Sequence, residues 1–154
     1  MKEENKYNKI GGWLILVIIG YILSFINNYN LFHDIRALYK KGTMERLMNS
    51  TSSIYNMKLA TLIKFEQFIT ITTMICIVIG LILMFQRRKI FPRYAIWLII
   101  ISHTFVIIDI IWLSIIGYES DANSISEAIS GILAGIAWIF YFLKSERVKQ
   151  TFIE

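Results

Sequence analysis

Asp109 is the residue whose position most strongly suggests chemistry, because it lies inside the apolar stretch 94–116. A carboxyl group near the centre of a membrane costs about 2.5–3.5 kcal/mol on insertion scales, so such residues usually face the interior of a helix bundle. On a helix, Ser102 at i−7 shares the face of Asp109, whereas His103 lies roughly 120° around the axis. A proton relay between His103 and Asp109 is therefore not expected, and an interhelical hydrogen bond is the favoured role of His103.

Asp109 has two candidate partners, Lys64 and Glu66, where the preceding apolar segment is expected to enter the membrane. Two interpretations stay open. Asp109 is a protonatable or substrate-binding carboxylate in an outward-facing cavity, or a structural carboxylate neutralised by Lys64 or hydrogen-bonded to a nearby hydroxyl. The candidate polar site comprises Asp109, Ser102, His103, Lys64 and Glu66.

Motifs of enzymes and cofactor sites are missing from the sequence. It has no phosphate-binding loop, nucleophile elbow or zinc-protease motif, and its two histidines, His33 and His103, lie in different segments. The single cysteine, Cys76, lies inside an apolar stretch, where a thiol is unreactive. The sequence predicts no enzyme, no cofactor and no metal site. Its basic residues form no stripe interleaved with aromatics, so no nucleic-acid partner is expected.

The elements that must position these residues are four apolar stretches, 10–26, 68–85, 94–116 and 125–143. Each is close to the roughly 20 residues with which a helix crosses a bilayer core of about 30 Å. The 154 residues are 56% hydrophobic, and a soluble domain of this size could not bury four such helices. We expect one all-α membrane domain, a four-helix transmembrane bundle with approximate spans 10–29, 66–85, 94–116 and 125–143.

The distribution of basic residues predicts the orientation. Lysine and arginine are concentrated in both tails and in the connection 86–93, whereas the charged residues of the connection 117–123 are both acidic, Glu119 and Asp121. Basic residues beside short connections favour the cytoplasm, so both termini are expected inside. The first connection, 27–67, argues against this orientation. It is also basic, yet four spans with both termini inside place it outside. The expected lipid-headgroup contacts are Arg87, Arg88, Lys89, Arg93, Lys144, Arg147 and Lys149.

The first connection carries its own helical pattern. Apolar residues recur at helical spacing over 30–41, which predicts an amphipathic extracytoplasmic segment on the membrane surface or over the bundle. Gly42 is expected to end it, and a short piece over 44–48 follows.

The fourth apolar stretch carries signals for its start and its packing. Ser124 and Glu127 have the spacing of a capping box at a helix N-terminus. Gly131 and Gly135 form a small-xxx-small pair that permits close helix contact.

Three passages resemble a known family: the opening 10–14 (IGGWL), the basic loop Arg87-Arg88-Lys89 with Pro92, and the closing 138–152 (WIFYFLKSERVKQTF). The chain resembles the small four-span bacterial membrane proteins of domain of unknown function 2569. The resemblance implies a multi-pass protein of the bacterial cytoplasmic (inner) membrane and supplies no activity or catalytic residue.

Three classes of function remain. The first is a non-enzymatic module that binds membrane lipids, another membrane protein or a second copy of itself, as the basic rim and the Gly131/Gly135 face suggest. The alternative is a small transporter or channel subunit that uses Asp109 as an intramembrane protonatable group. A membrane-embedded enzyme is the least favoured, because no nucleophile, base and orienting group converge.

Overall fold

The computed structural model describes residues 10–118 and 122–153, and this part of the chain is all α with no strand. Four helices are long and apolar enough to cross a membrane, which confirms the predicted all-α four-span fold. The helices are α1 (Trp13–Lys40), α2 (Thr43–Met48), α3 (Met57–Phe85), α4 (Phe91–Ile115), α5 (Ala122–Lys144) and α6 (Glu146–Thr151).

The long helices pack in chain order, with α1 along α3, α3 along α4 and α4 along α5. One end of the bundle, here called the terminal end, is where α1 and α4 begin and α3 and α5 end. At the other end, here called the opposite end, α3 and α5 begin and α4 ends. Gly80 on α3 allows close packing near the terminal end, since a Cβ there would lie 2.9 Å from Tyr21 and 3.2 Å from Tyr94.

Helix α1 continues without a break through the predicted amphipathic segment, so residues 30–41 do not form a separate surface helix. The helix continues because no proline or glycine interrupts it between Gly20 and Gly42. Its 28 residues span about 42 Å, more than a bilayer core of about 30 Å. The helix ends before Gly42, whose φ of +69° is left-handed, as expected for a glycine that terminates a helix.

The opposite end carries a small second core. Met44 and Leu47 of α2 and Ala60 of α3 are buried together, and Leu38 of the α1 extension packs against them. The Asn56 side chain caps α3 by accepting from the Leu59 N–H at 3.0 Å, while its own backbone N–H donates to the Leu47 carbonyl at 2.9 Å. This core ties the extension of α1 to the start of α3.

The terminal end has a larger core, built partly by the short helix α6. Phe91 is fully buried at its centre, with ring centroids 5.9 Å from Phe142 and 4.7 Å from Phe152. The Ser145 hydroxyl accepts from the Val148 N–H and so caps α6. The cluster of buried residues, here the terminal core, comprises Leu14, Val17, Met84, Phe91, Ala95, Phe142, Val148 and Phe152.

One local sequence interpretation is wrong. Ser124 lies inside α5, which begins no later than Ala122, so it is not the N-cap of that helix. Glu119 and Asp121 lie outside the described residues. Among the tryptophans, Trp13 and Trp97 are 65% and 63% exposed, whereas Trp112 stacks on Phe65 with ring centroids 6.0 Å apart.

Candidate functional site

A cavity of about 390 Å³ lies between α1, α3 and α4. Each helix contributes a stripe of polar residues to walls that are otherwise apolar. The polar lining residues are Tyr21, Ser24 and Asn28 of α1, Glu66, Thr70 and Thr73 of α3, and Ser102, His103 and Asp109 of α4. The cavity lies along the middle of the helices, since its lining runs over residues 65–77 of α3 and 98–109 of α4; Asp109 marks its limit toward the opposite end, about 9 Å along the helix axis from the last residue of α4.

Glu66 of α3 and Asp109 of α4 both line this cavity. The chain places them at one level, because Glu66 lies nineteen residues before the end of α3 and Asp109 eighteen residues after the start of α4. The Oδ1 atom of Asp109 is buried and has no hydrogen-bond partner.

Lys64 points away from the cavity and does not neutralise Asp109. Its Nζ lies 3.1 Å from the Met48 sulfur, on the side of α3 that faces α2. Residues two apart on a helix face different directions, so Lys64 and Glu66 could not both reach the same partner. The structure thus brings Glu66, and not Lys64, to Asp109.

Ser102 lines the cavity on the same face of α4 as Asp109. Its hydroxyl donates to the Leu98 carbonyl of its own helix at 2.7 Å. Asn28 behaves alike on α1, where its amide nitrogen donates to the Ser24 carbonyl at 2.8 Å. The Ser102 hydroxyl keeps only its oxygen lone pairs, whereas the Asn28 amide keeps a second N–H as well as its oxygen.

His103 joins α4 to α5. Its Nδ1 lies 2.7 Å from the Ile99 carbonyl oxygen and its Nε2 lies 2.8 Å from the Gly131 carbonyl oxygen. A neutral imidazole has one N–H and can donate to only one of these carbonyls, whereas an imidazolium donates to both. Gly135 makes room for the ring, since a Cβ there would lie 2.8 Å from its Cε1. His103 thus makes an interhelical bond, and both ring nitrogens face carbonyls instead of Asp109.

The terminal end gathers the basic residues around the terminal core. Arg87 and Arg147 are half-buried, and a Cβ added to Gly11 or Gly12 would lie 2.7 or 2.9 Å from the Arg147 guanidinium. The three passages that resemble a known family therefore meet here, through Gly11 and Gly12, Phe91 beside Pro92, and α6. The exposed basic residues of this end are Arg88, Lys89, Arg93, Lys144 and Lys149.

The described residues contain no group of three or more His, Cys, Asp and Glu side chains that could hold a metal ion. Cys76 is half-buried, and its backbone carbonyl accepts a hydrogen bond from the Tyr94 hydroxyl at 2.7 Å.

Five polar lining residues were not among the sequence candidates: Tyr21, Ser24, Asn28, Thr70 and Thr73. Their spacing carries the signal that could have found them. Glu66, Thr70 and Thr73 follow one another at i, i+4 and i+7, the spacing of one helix face. A polar stripe along an otherwise apolar span marks the side that faces the bundle interior.

Comparison with known proteins gives a family and no activity. Residues 7–153 match the sequence model of a family described as protein of unknown function (DUF2569). No curated protein and no solved structure matches the chain. The match covers nearly all of the chain and includes the three passages that meet at the terminal end. The chain therefore belongs to the DUF2569 family, as a multi-pass membrane protein with four spanning helices.

Proposed function

We propose that this protein is a small transporter or channel subunit that admits a small polar solute into the cavity between α1, α3 and α4. The observation that carries this proposal is a cavity inside the bundle that is lined by two carboxyl groups from different helices, Glu66 of α3 and Asp109 of α4, with the buried Oδ1 atom of Asp109 unpartnered. Ionisable groups are costly inside a membrane and typically mark solute, ion or proton pathways.

The size and lining of the cavity support a water-filled space. At about 30 Å³ for each water of the liquid, 390 Å³ holds about a dozen molecules. Polar groups line it on all three helices, which is what a hydrated cavity needs. Between Tyr21 and the terminal end, by contrast, the buried residues of the terminal core fill the space between the helices.

Cysteine labelling tests whether water reaches the cavity. In a Cys76→Ser background, Ser102→Cys should react with a membrane-impermeant thiol reagent in intact vesicles. The matched control is Ile101→Cys, its neighbour on α4, which is 47% exposed and faces the outside of the helix bundle. A thiol in lipid stays protonated and unreactive, so we expect Ser102→Cys to react about tenfold faster or more. Equal rates at the two positions would contradict a water-filled cavity.

A role in binding anionic lipid is the second candidate, and one observation favours it. Arg88, Lys89 and Arg93 are exposed around the terminal end of the bundle. Each basic residue near a membrane surface is attracted to anionic headgroups with a free energy of about 1 kcal/mol. This proposal places the terminal end at the cytoplasmic face of the bacterial inner membrane, with both termini inside.

Lipid exchange tests the second candidate. The triple variant R88Q/R93Q/K89Q should lose its preference for phosphatidylglycerol over phosphatidylcholine in nanodiscs. Lys58→Gln, which removes an exposed cation at the opposite end, should keep it. A wild-type protein without any such preference would exclude this role. A reporter fused after Glu154 should be active only in the cytoplasm.

A further inference from the structure

We propose that a groove on the outside of the α1–α3 pair holds one acyl chain of a phospholipid whose phosphate binds Arg36 and Lys64. The groove is separate from the cavity, has a volume of about 520 Å³ and presents an entirely apolar surface. Its walls are Phe25, Tyr29 and Phe32 of α1 and five apolar residues within 71–79 of α3.

The same two helices line the cavity and the groove with different faces. On α1, Asn28 lines the cavity and Tyr29 lines the groove, and on α3, Thr70 lines the cavity and Ile71 lines the groove. Neighbouring residues of a helix point about 100° apart. Tyr29 and Ile75 are 54% and 56% exposed, so the groove is open to the surroundings of the bundle. Beside four spanning helices, those surroundings are the hydrocarbon of the membrane.

The depth of the groove fits an acyl chain, and the depth of the two cations fits a headgroup. With the terminal end of the bundle at one edge of a hydrocarbon core of about 30 Å, Phe25 to Phe32 lie about 18–29 Å from Trp13 along the axis, inside the core. Arg36 lies about 35 Å from Trp13, and Lys64 lies about 32 Å from the last residue of α3. Both cations therefore reach the far edge of the core, at the opposite end.

Arg36 and Lys64 also continue the two helix faces that form the groove. Arg36 follows Phe32 by four residues and Tyr29 by seven, and Lys64 precedes Ile71 by seven. Residues at these spacings share one face of a helix. Each wall of the groove thus carries one cation at its headgroup end, and both cations are exposed.

Neither cation has an anionic partner in the part of the chain that the structure describes. The Lys64 Nζ lies 3.1 Å from the Met48 sulfur, which is a weak acceptor and carries no charge. Asp34 lies only two residues from Arg36 and so points to another side of α1, where its Oδ1 is 3.9 Å from the His33 Nδ1. A lipid phosphate supplies the anion that Arg36 and Lys64 lack.

The headgroup and the acyl chain contribute differently to this binding. Lipid tails are as apolar as the groove, so the chain gains packing contacts and no hydrophobic transfer. Each basic residue at headgroup depth adds about fivefold in affinity for an anion. The phosphate therefore provides the affinity, and the groove fixes the position of the lipid. Phosphatidylglycerol and phosphatidylcholine share the phosphodiester, so a preference between them arises elsewhere, at the terminal end.

Site-resolved photocrosslinking on the full-length purified protein tests this proposal. The probe is phosphatidylglycerol with a diazirine in the middle of one acyl chain, and peptide mass spectrometry locates the label. We expect labelling concentrated in residues 25–32 and 71–79. Unlabelled phosphatidylglycerol should compete at a concentration at least tenfold lower than diacylglycerol with the same chains, because diacylglycerol has no phosphate.

The double variant R36Q/K64Q should lower groove labelling about tenfold or more, since it removes both cations. R36K/K64R, which keeps both charges, should retain the labelling. Lys58→Gln is the matched control, because it removes another exposed cation of α3 at the same end and should leave the labelling unchanged.

The competition experiment on wild-type protein decides the question if a variant does not fold. Diacylglycerol that competes as well as phosphatidylglycerol, or R36Q/K64Q labelling equal to wild type, would overturn the phosphate site. Labelling as strong at Ile111 of α4, which is 53% exposed outside the groove, would mean ordinary surrounding lipid and would also overturn it. A groove that stays unlabelled in a dimeric protein would assign it to a second copy of the chain instead.

Discussion

The two ends of the bundle differ in how the space between the helices is filled. At the terminal end, Phe91 and its neighbours are buried, and α6 folds back to complete the packing. Toward the opposite end, Glu66 and Asp109 line a cavity of about 390 Å³. One fold thus provides a closed terminal end that holds the helices together and, between that end and the small second core, a cavity that carries the polar chemistry. Substitutions in the terminal core should change stability, and those in the cavity should change function.

The largest effect is expected at the closed end, for Phe91→Ala. This change removes a fully buried ring that packs on Phe142 and Phe152 and should cost about 3–5 kcal/mol. Thermal unfolding in detergent measures it. Phe68→Ala is the matched control, because Phe68 is 66% exposed and should lose far less. Equal losses in the two variants would mean that the terminal core does not hold the bundle together.

Gly135→Ala is expected to have the next largest effect, at the contact between α4 and α5. The added Cβ would lie 2.8 Å from Cε1 of His103, and the overpacking should cost about 1–3 kcal/mol. Gly20→Ala provides the control, since no atom lies within 4 Å of a Cβ there. Helix propensity should make that variant neutral or more stable by up to about 1 kcal/mol. A destabilised Gly20→Ala together with an unchanged Gly135→Ala would refute the described packing.

Asp109→Asn should keep the fold. The amide nearly keeps the shape of the side chain and removes a costly intramembrane acid, so the free energy of unfolding should stay within about 1 kcal/mol of wild type or rise. Thermal unfolding in detergent measures it. A loss of stability as large as that of Phe91→Ala would return Asp109 to a purely structural role.

The smallest effect is expected for Ser145→Ala, which removes the N-cap of α6. A lost cap costs about 0.5–2 kcal/mol, and here the cost should fall on α6 because the four long helices do not depend on this bond. Limited proteolysis should show faster cleavage within residues 145–153 and no new cleavage at α2. Unchanged cleavage would indicate that packing of Val148 and Phe152 alone holds α6.

The four spans could be predicted from the sequence because the length of an apolar run is set by the thickness of the membrane. The sequence left Glu66 and Lys64 as alternative partners of Asp109. The connection between α3 and α4 is short, so residues that lie equally far from it on the two helices are at the same level of the bundle. That register depends on where each helix ends, and helix ends are the least certain part of a sequence pattern. The sequence also allowed Lys64 as a partner, because it does not show that the Lys64 Nζ lies 3.1 Å from the Met48 sulfur of α2.

Two features of the fold could not be predicted, for opposite reasons. The amphipathic pattern over 30–41 predicts a helix there, but it does not show whether that helix is separate, and α1 runs through it without a break. Helix α6 has six residues, too few for a periodic pattern, and its burial depends on the cavity-free core built by distant segments. Local sequence indicates surroundings and propensity, whereas the packing of a short tail depends on the whole bundle.

The contrast between the two ends is tested most directly by labelling Ser102→Cys and Ala95→Cys in the Cys76→Ser background. The two positions lie seven residues apart on one face of α4; Ser102 lines the cavity, and Ala95 is 1% exposed in the terminal core. An impermeant thiol reagent in intact vesicles should modify Ser102→Cys and leave Ala95→Cys unmodified. Labelling at both positions would contradict the closed terminal end, and labelling at neither would contradict the open cavity.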